Sequence, residues 1–171
     1  MSLPFDALKN AHRVLFNIPL RPVQGERFQP TGFPSLGAAT YQTRNGRSLL
    51  VESAQSMANR LETVIWDAAT QAPVAAVAGL SYIRVERKGG FLTSSILESH
   101  RINSPYLLGG KKDDETFFDT LKAALGGLAE GPINRRLLAQ TLFEYDANAL
   151  IHGVFLAAKQ GKETLAGGRL R

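Results

Sequence analysis

Cysteine is absent from the 171 residues. That excludes disulfides, cysteine-ligated zinc and cysteine nucleophiles. Long apolar runs are absent as well: no stretch approaches the roughly 20 residues a bilayer-crossing helix needs. The opening MSLPFDALKNAHR lacks a signal-peptide hydrophobic region, so a soluble cytoplasmic protein without membrane contact is expected. Histidine is scarce, and His12, His100 and His152 share no metal-ligand spacing. No internal repeat or low-complexity tract occurs. What is present is 44% hydrophobic residues, enough for one domain, residues 1–171, to bury a real core.

Net charge is +5, a mild basic excess that on its own is weak evidence for a polyanion partner. Its distribution says more. Residues 1–60 carry seven Lys/Arg against three Asp/Glu; residues 61–130 carry seven against nine; residues 131–171 carry six against three. The positive charge therefore sits at the two ends of the chain.

Residues 20–62 read LRPVQGERFQPTGFPSLGAATYQTRNGRSLLVESAQSMANRLE. Arg21, Arg27, Arg44, Arg47 and Arg60 are interleaved with Phe28, Phe33 and Tyr41, with Gln24, Gln29, Gln42, Gln55 and Asn59, and with Gly and Pro. Arginine pairs with phosphates, aromatic rings stack on bases, and amides reach sugar and base edges. The mixture suits a groove for single-stranded nucleic acid. A surface loop with solvated charges has the same composition, and composition alone leaves both readings open.

Periodicity orders the remaining elements. Residues 13–21 alternate, with Val14, Phe16, Ile18 and Leu20 on one face and Arg13, Leu15, Asn17, Pro19 and Arg21 on the other, which predicts a half-buried strand. Glu52–Ala68 predicts a helix with Met57, Leu61, Val64, Ile65 and Ala68 inward and Trp66 closing the core at its end. Residues 80–87 and 91–97 predict strands around Lys88-Gly89-Gly90, with the two glycines in the turn. Asp113 or Asp114 is expected to cap a helix running to Leu125, with Phe117, Phe118, Leu121 and Leu125 buried and Gly126-Gly127 ending it. Pro132 suits the first turn of another helix with Leu137, Leu138 and Leu142 inward, and residues 150–157 read as a final strand. The sum is α+β: a ferredoxin-like, RRM-like β-α-β-β-α-β core with residues 22–48 as an irregular, RNA-binding insertion after the first strand.

RPVQGERFQPTGFPSLGAATY at 21–41, LLVESAQSMANRLE at 49–62, SHRINSPYLL at 99–108 and PINRRLLAQTLFEYDANALIHGVFLA at 132–157 carry a resemblance. The chain resembles the CRISPR-associated backbone subunit of type I-G effector complexes (formerly type I-U), in the RAMP superfamily. That resemblance implies a non-catalytic subunit whose copies polymerise along a CRISPR guide RNA beside other effector subunits. Target DNA would then be read by guide pairing. It also implies a chain continuing past the terminal AGGRLR, so an N-terminal fragment of a longer protein is expected.

The expected RNA contacts are Arg13, Asn17, Arg21, Gln24, Gly25, Arg27, Phe28, Gln29, Phe33, Ser53, Gln55, Asn59 and Arg60. Gly25 lets backbone approach a phosphate, and the helix beginning near Ser53 turns its N-terminus toward anions. The base-stacking signature usual in RNA-recognition domains is missing, since KGGFLTSS at 88–95 begins like it and then departs. No cofactor, metal or catalytic residue is expected. Two alternatives stand beside this reading: an RNA-processing endonuclease using His12-Arg13 or His100-Arg101, and a ferredoxin-like small-molecule enzyme. Asp113-Asp114-Glu115 has the carboxylates for magnesium, but beside a helix start it better serves the helix dipole.

Overall fold

The computed structural model describes residues 5–11, 14–27, 29, 32–33, 35–126, 133–157, 159–160, 163–164 and 168–170. The chain divides into two compact units, Met1–Val51 and Glu52–Arg171.

In the first unit, helix α1 (Phe5–Leu8) precedes two hairpins, and the described residues between the helix and the hairpins are in neither helix nor strand. β1 (Gly32–Phe33) pairs with β2 (Gly37–Ala38), and β3 (Thr40–Thr43) with β4 (Gly46–Leu49). Residues 22–48 are thus not irregular throughout. The second hairpin closes over Arg44-Asn45, where the Thr43 hydroxyl donates to the Gly46 carbonyl at 2.8 Å and accepts from the Asn45 N–H at 3.3 Å.

The strand expected over 13–21 is not formed among the described residues. Positions 14–21 pair with no described strand, and Val14, Phe16, Ile18 and Leu20 are all exposed. Alternation assigns side chains to faces; a strand also needs a neighbour's N–H and C=O groups.

The second unit opens with α2 (Ala54–Val64), shorter than the predicted 52–68. Ser53 caps it, its hydroxyl accepting from the Ser56 N–H at 3.0 Å. Its face is rotated from the predicted one: Ala58 and Glu62 are buried, while Met57, Leu61 and Val64 are exposed. The buried face carries Glu62, which is paired there with Arg101 as described below.

β5 (Trp66–Asp67) and β6 (Ala72–Pro73) form a short hairpin, followed by a 3₁₀ turn at Ala75–Val77. β7 (Arg84–Arg87) and β8 (Gly90–Ser94) form another, irregular between Val85 and Glu86. Its turn lies one residue earlier than predicted. Lys88 (φ 54°) and Gly89 (φ 78°) are both left-handed, as a type I′ turn requires, and Gly90 already belongs to β8.

A 3₁₀ turn at Arg101–Asn103 leads into α3 (Pro105–Leu108), capped by Ser104. β9 (Lys111–Lys112) and β10 (Glu115–Thr116) pair, and α4 (Phe117–Ala124) follows. Asp113 and Asp114 are not its caps. They form the β9–β10 turn at φ 52° and 68°, a conformation aspartate tolerates, and Thr116 caps α4 by accepting from the Asp119 N–H. α5 (Arg135–Tyr145) starts on Asn134, whose Oδ1 accepts from the Leu137 N–H at 3.1 Å; Pro132 lies outside the described residues.

The strand predicted over 150–157 is split. α6 (Ala149–His152) ends at Gly153, and β11 (Val154–Leu156) follows. β12 (Lys159–Gln160) pairs with β13 (Glu163–Thr164), and β14 (Gly168–Leu170) returns to pair with β11.

Helices and antiparallel strands together make an α+β chain. The described strands pair only in twos, so the single sheet of a ferredoxin-like core is not assembled among them. The core lies in the second unit: Ile102, Leu108, Phe118, Leu121, Leu125, Leu142, Ala149, Val154 and Leu156, with Phe117 and Leu138 packed against it. Leu121, Leu125 and Leu156 are essentially inaccessible, each contributing roughly 2 kcal/mol by burial. No described helix is long and apolar enough to cross a membrane.

Candidate nucleic-acid interface

In the first unit, Arg21, Pro22, Val23 and Gly25 line an open depression of about 570 Å³. Gly25 has φ +63°, and nothing lies within 4 Å of the position a Cβ would take. The left-handed turn therefore needs glycine for its backbone and leaves open space beside the Cα. Gln24, Arg27 and Gln29 are exposed nearby in sequence, and Asn17 is exposed upstream. Arg13 and Phe28 lie outside the described residues; Phe33 sits in β1 opposite Gly37. Arg47 donates to the Thr40 hydroxyl at 3.2 Å, bracing its own hairpin.

The remaining expected contacts belong to the second unit. Ser53 is engaged as a cap, Gln55 and Asn59 are exposed on α2, and Arg60 bonds Glu52 at 3.3 Å with its side chain still 69% exposed. An exposed pair of this kind is worth little, so Glu52 hardly restrains Arg60. The acids expected to serve the start of α4 are bent into a turn, and among the described residues no group of three His, Asp or Glu side chains can hold a metal ion.

A buried polar cluster escaped the sequence reading. Arg101 donates to both carboxylate oxygens of Glu62, from Nε at 2.5 Å and Nη2 at 3.1 Å. His152 Nδ1 lies 2.9 Å from the same Glu62 Oε1. His152 thus serves this cluster, from the end of α6 and not from the strand predicted over 150–157. Arg101 also adopts φ +48°, unusual for a non-glycine residue and held here by its two-pronged bond. With Arg101 committed to Glu62, it does not lend its cation to the exposed His100 beside it.

Asp146 completes the cluster. It is buried, and neither carboxylate oxygen meets a donor in hydrogen-bond geometry. Desolvation first, then the charge of Glu62, push its pKa up to about 6; the charge of Arg101 opposes that rise without reversing it. In the same 99–108 segment Ser104 donates its hydroxyl to Glu98 at 2.8 Å, and Glu98 also accepts from Thr93 at 2.6 Å. No spacing in the sequence links 62, 101, 146 and 152. The only available signal was a charged residue flanking the apolar stripe of a helix.

The family model of the CRISPR-associated protein GSU0053 (Cas_GSU0053) matches residues 14–168, and the chain belongs to that family. A comparison with curated proteins finds no match.

Proposed function

We propose that this CRISPR-associated protein is a non-catalytic, RNA-binding backbone subunit of a type I-G effector complex. Copies assemble along the guide RNA in the cytoplasm, beside other effector subunits, and target DNA is read by pairing with the guide. Family membership supports the CRISPR setting. The observation that carries the RNA-binding half is the open depression lined by Arg21 and Gly25, with Arg27 exposed six residues beyond Arg21. A guanidinium beside a left-handed glycine with open space at its Cα offers a phosphate both a charge and an unobstructed backbone approach.

The non-catalytic half draws support from two placements. Asp113 and Asp114 serve a hairpin turn, and Arg101 beside His100 is consumed by Glu62. Cleavage of repeat RNA that survives rigorous purification and disappears in a His100→Ala variant would overturn it.

The experiment for RNA binding is a filter-binding titration across salt concentrations. The Arg21→Ala/Arg27→Ala double variant is expected to bind all RNA sequences more weakly. Its salt slope should fall by roughly 0.7 per lost phosphate contact. Unchanged affinity and slope would place the groove elsewhere.

A further inference from the structure

Trp66 is the chain's single tryptophan. From β5 it stacks on Phe91 of β8, with ring centroids 5.5 Å apart and planes inclined by 28°. Tyr82 meets Trp66 edge-on at 6.1 Å and 78°. Arg84 on β7 lays its guanidinium over the Phe91 ring, Cζ lying 4.5 Å from the centroid. That guanidinium is fixed in place: Nε donates to Glu86 at 2.9 Å and Nη1 to the Gln71 carbonyl at 2.6 Å.

This cluster differs from core packing in two respects. All three rings are only half-buried, and the Arg84 side chain is 35% exposed. The hairpin that carries it is also cationic. Arg84, Arg87 and Lys88 face one carboxylate in the same strand and turn, Glu86, and Arg87 and Lys88 are exposed at the turn. Asp67, next to Trp66, turns its carboxylate onto the Ala69 N–H and the Thr70 hydroxyl, both at 2.9 Å.

We propose that Trp66, Phe91, Tyr82 and Arg84 form a stacking platform for an unpaired base of single-stranded nucleic acid, with Arg87 and Lys88 meeting the flanking phosphates. Phe91 already carries Trp66 and Arg84, so a base would stack on the accessible part of Trp66 or on the Arg84 guanidinium plane, and stacking tolerates any base because each has a π-face. Arg84 is already ordered over Phe91, so little side-chain freedom is lost when a base arrives. The platform rests on the RNA-binding reading above but uses residues separate from Arg21 and Arg27.

The single tryptophan is the reporter. Wild-type protein is titrated with an oligouridylate of about 12 nucleotides, a length within the span of single-strand binding sites. Trp66 emission and filter retention are read on the same samples. Saturable quenching that weakens with salt is expected, and a duplex of the same length should not quench. Phe91→Leu and Arg84→Gln should each shift the quenching midpoint by roughly tenfold, the scale of one lost stacked base. Circular dichroism checks that each variant is folded, and Arg84→Gln, a partly exposed position, serves if Phe91→Leu is not. Retention on the filter without any change in Trp66 emission would show that the cluster only packs two hairpins together, leaving RNA binding intact. Neither retention nor quenching would sink the RNA-binding reading and the platform with it.

Discussion

Arg101 and Glu62 lie 39 positions apart in the chain and form a two-pronged ion pair sealed from solvent, with side chains 11% and 7% exposed. The pair joins α2 to the 3₁₀ turn at Arg101–Asn103, and His152 at the end of α6 bonds the same carboxylate. Three segments of the second unit are therefore tied through one acidic side chain.

Removing one partner should be costly. Arg101→Ala leaves Glu62 buried beside Asp146 with His152 to bond it, and a loss of roughly 3–5 kcal/mol is expected in urea denaturation. The double variant Glu62→Leu/Arg101→Met, which replaces the pair by apolar groups of similar size, should lose much less. A double variant as unstable as the single one would show that the pair's charge, and not its packing, is indispensable.

Asp146 should make stability fall with rising pH. Its carboxyl titrates near 6 in the folded protein and near 3.8 as an unperturbed group. Between those values the folded state holds more protons than the unfolded one, so stability drops as pH rises and levels off above about 6. A shift of that size corresponds to about 3 kcal/mol. Asp146→Asn removes the titration. Relative to wild type, the variant should gain stability between pH 4 and pH 7, measured by denaturation at each pH. Parallel pH profiles for the two proteins would contradict the assignment.

Residues 14–21 should exchange their amide hydrogens rapidly in the free protein. They pair with no described strand, and Leu15 and Leu20 are 87% and 80% exposed. Amides outside a ladder and open to water lack protection. Adding single-stranded RNA should slow exchange at Arg21–Arg27 if that stretch holds the strand. Strong protection at 14–21 in RNA-free protein would mean that the segment is paired in solution.

Several features were legible from sequence because they are local. The turn at 88–89 follows from Lys-Gly between two strand-like runs, displaced by one residue because a non-glycine can occupy the first left-handed position. Phe118, Leu121, Leu125 and Leu142 were read as core from helical spacing and are core. The exposed, polar character of 21–27, with the left-handed Gly25, follows from composition and from glycine's freedom. The resemblance to a CRISPR-associated protein was carried by long motifs of unusual composition, and the match over 14–168 establishes that coarser CRISPR association.

Tertiary structure decided what depends on partners distant in the chain. Alternation at 14–20 was visible, but whether it becomes a strand is settled by a neighbour's hydrogen bonds, which no local pattern encodes. The stripe Met57, Leu61, Val64 pointed inward by spacing, yet α2 buries Ala58 and Glu62. Desolvating a charged carboxylate is tolerable where a guanidinium meets it, and Arg101, 39 positions away, is what makes the burial of Glu62 possible. The aromatic cluster arose in the same way, since Trp66, Tyr82, Arg84 and Phe91 become one surface only when two hairpins bring them together. Sequence determined which residues were available for burial, turning and charge; the geometry of contacts between distant segments determined which of them meet.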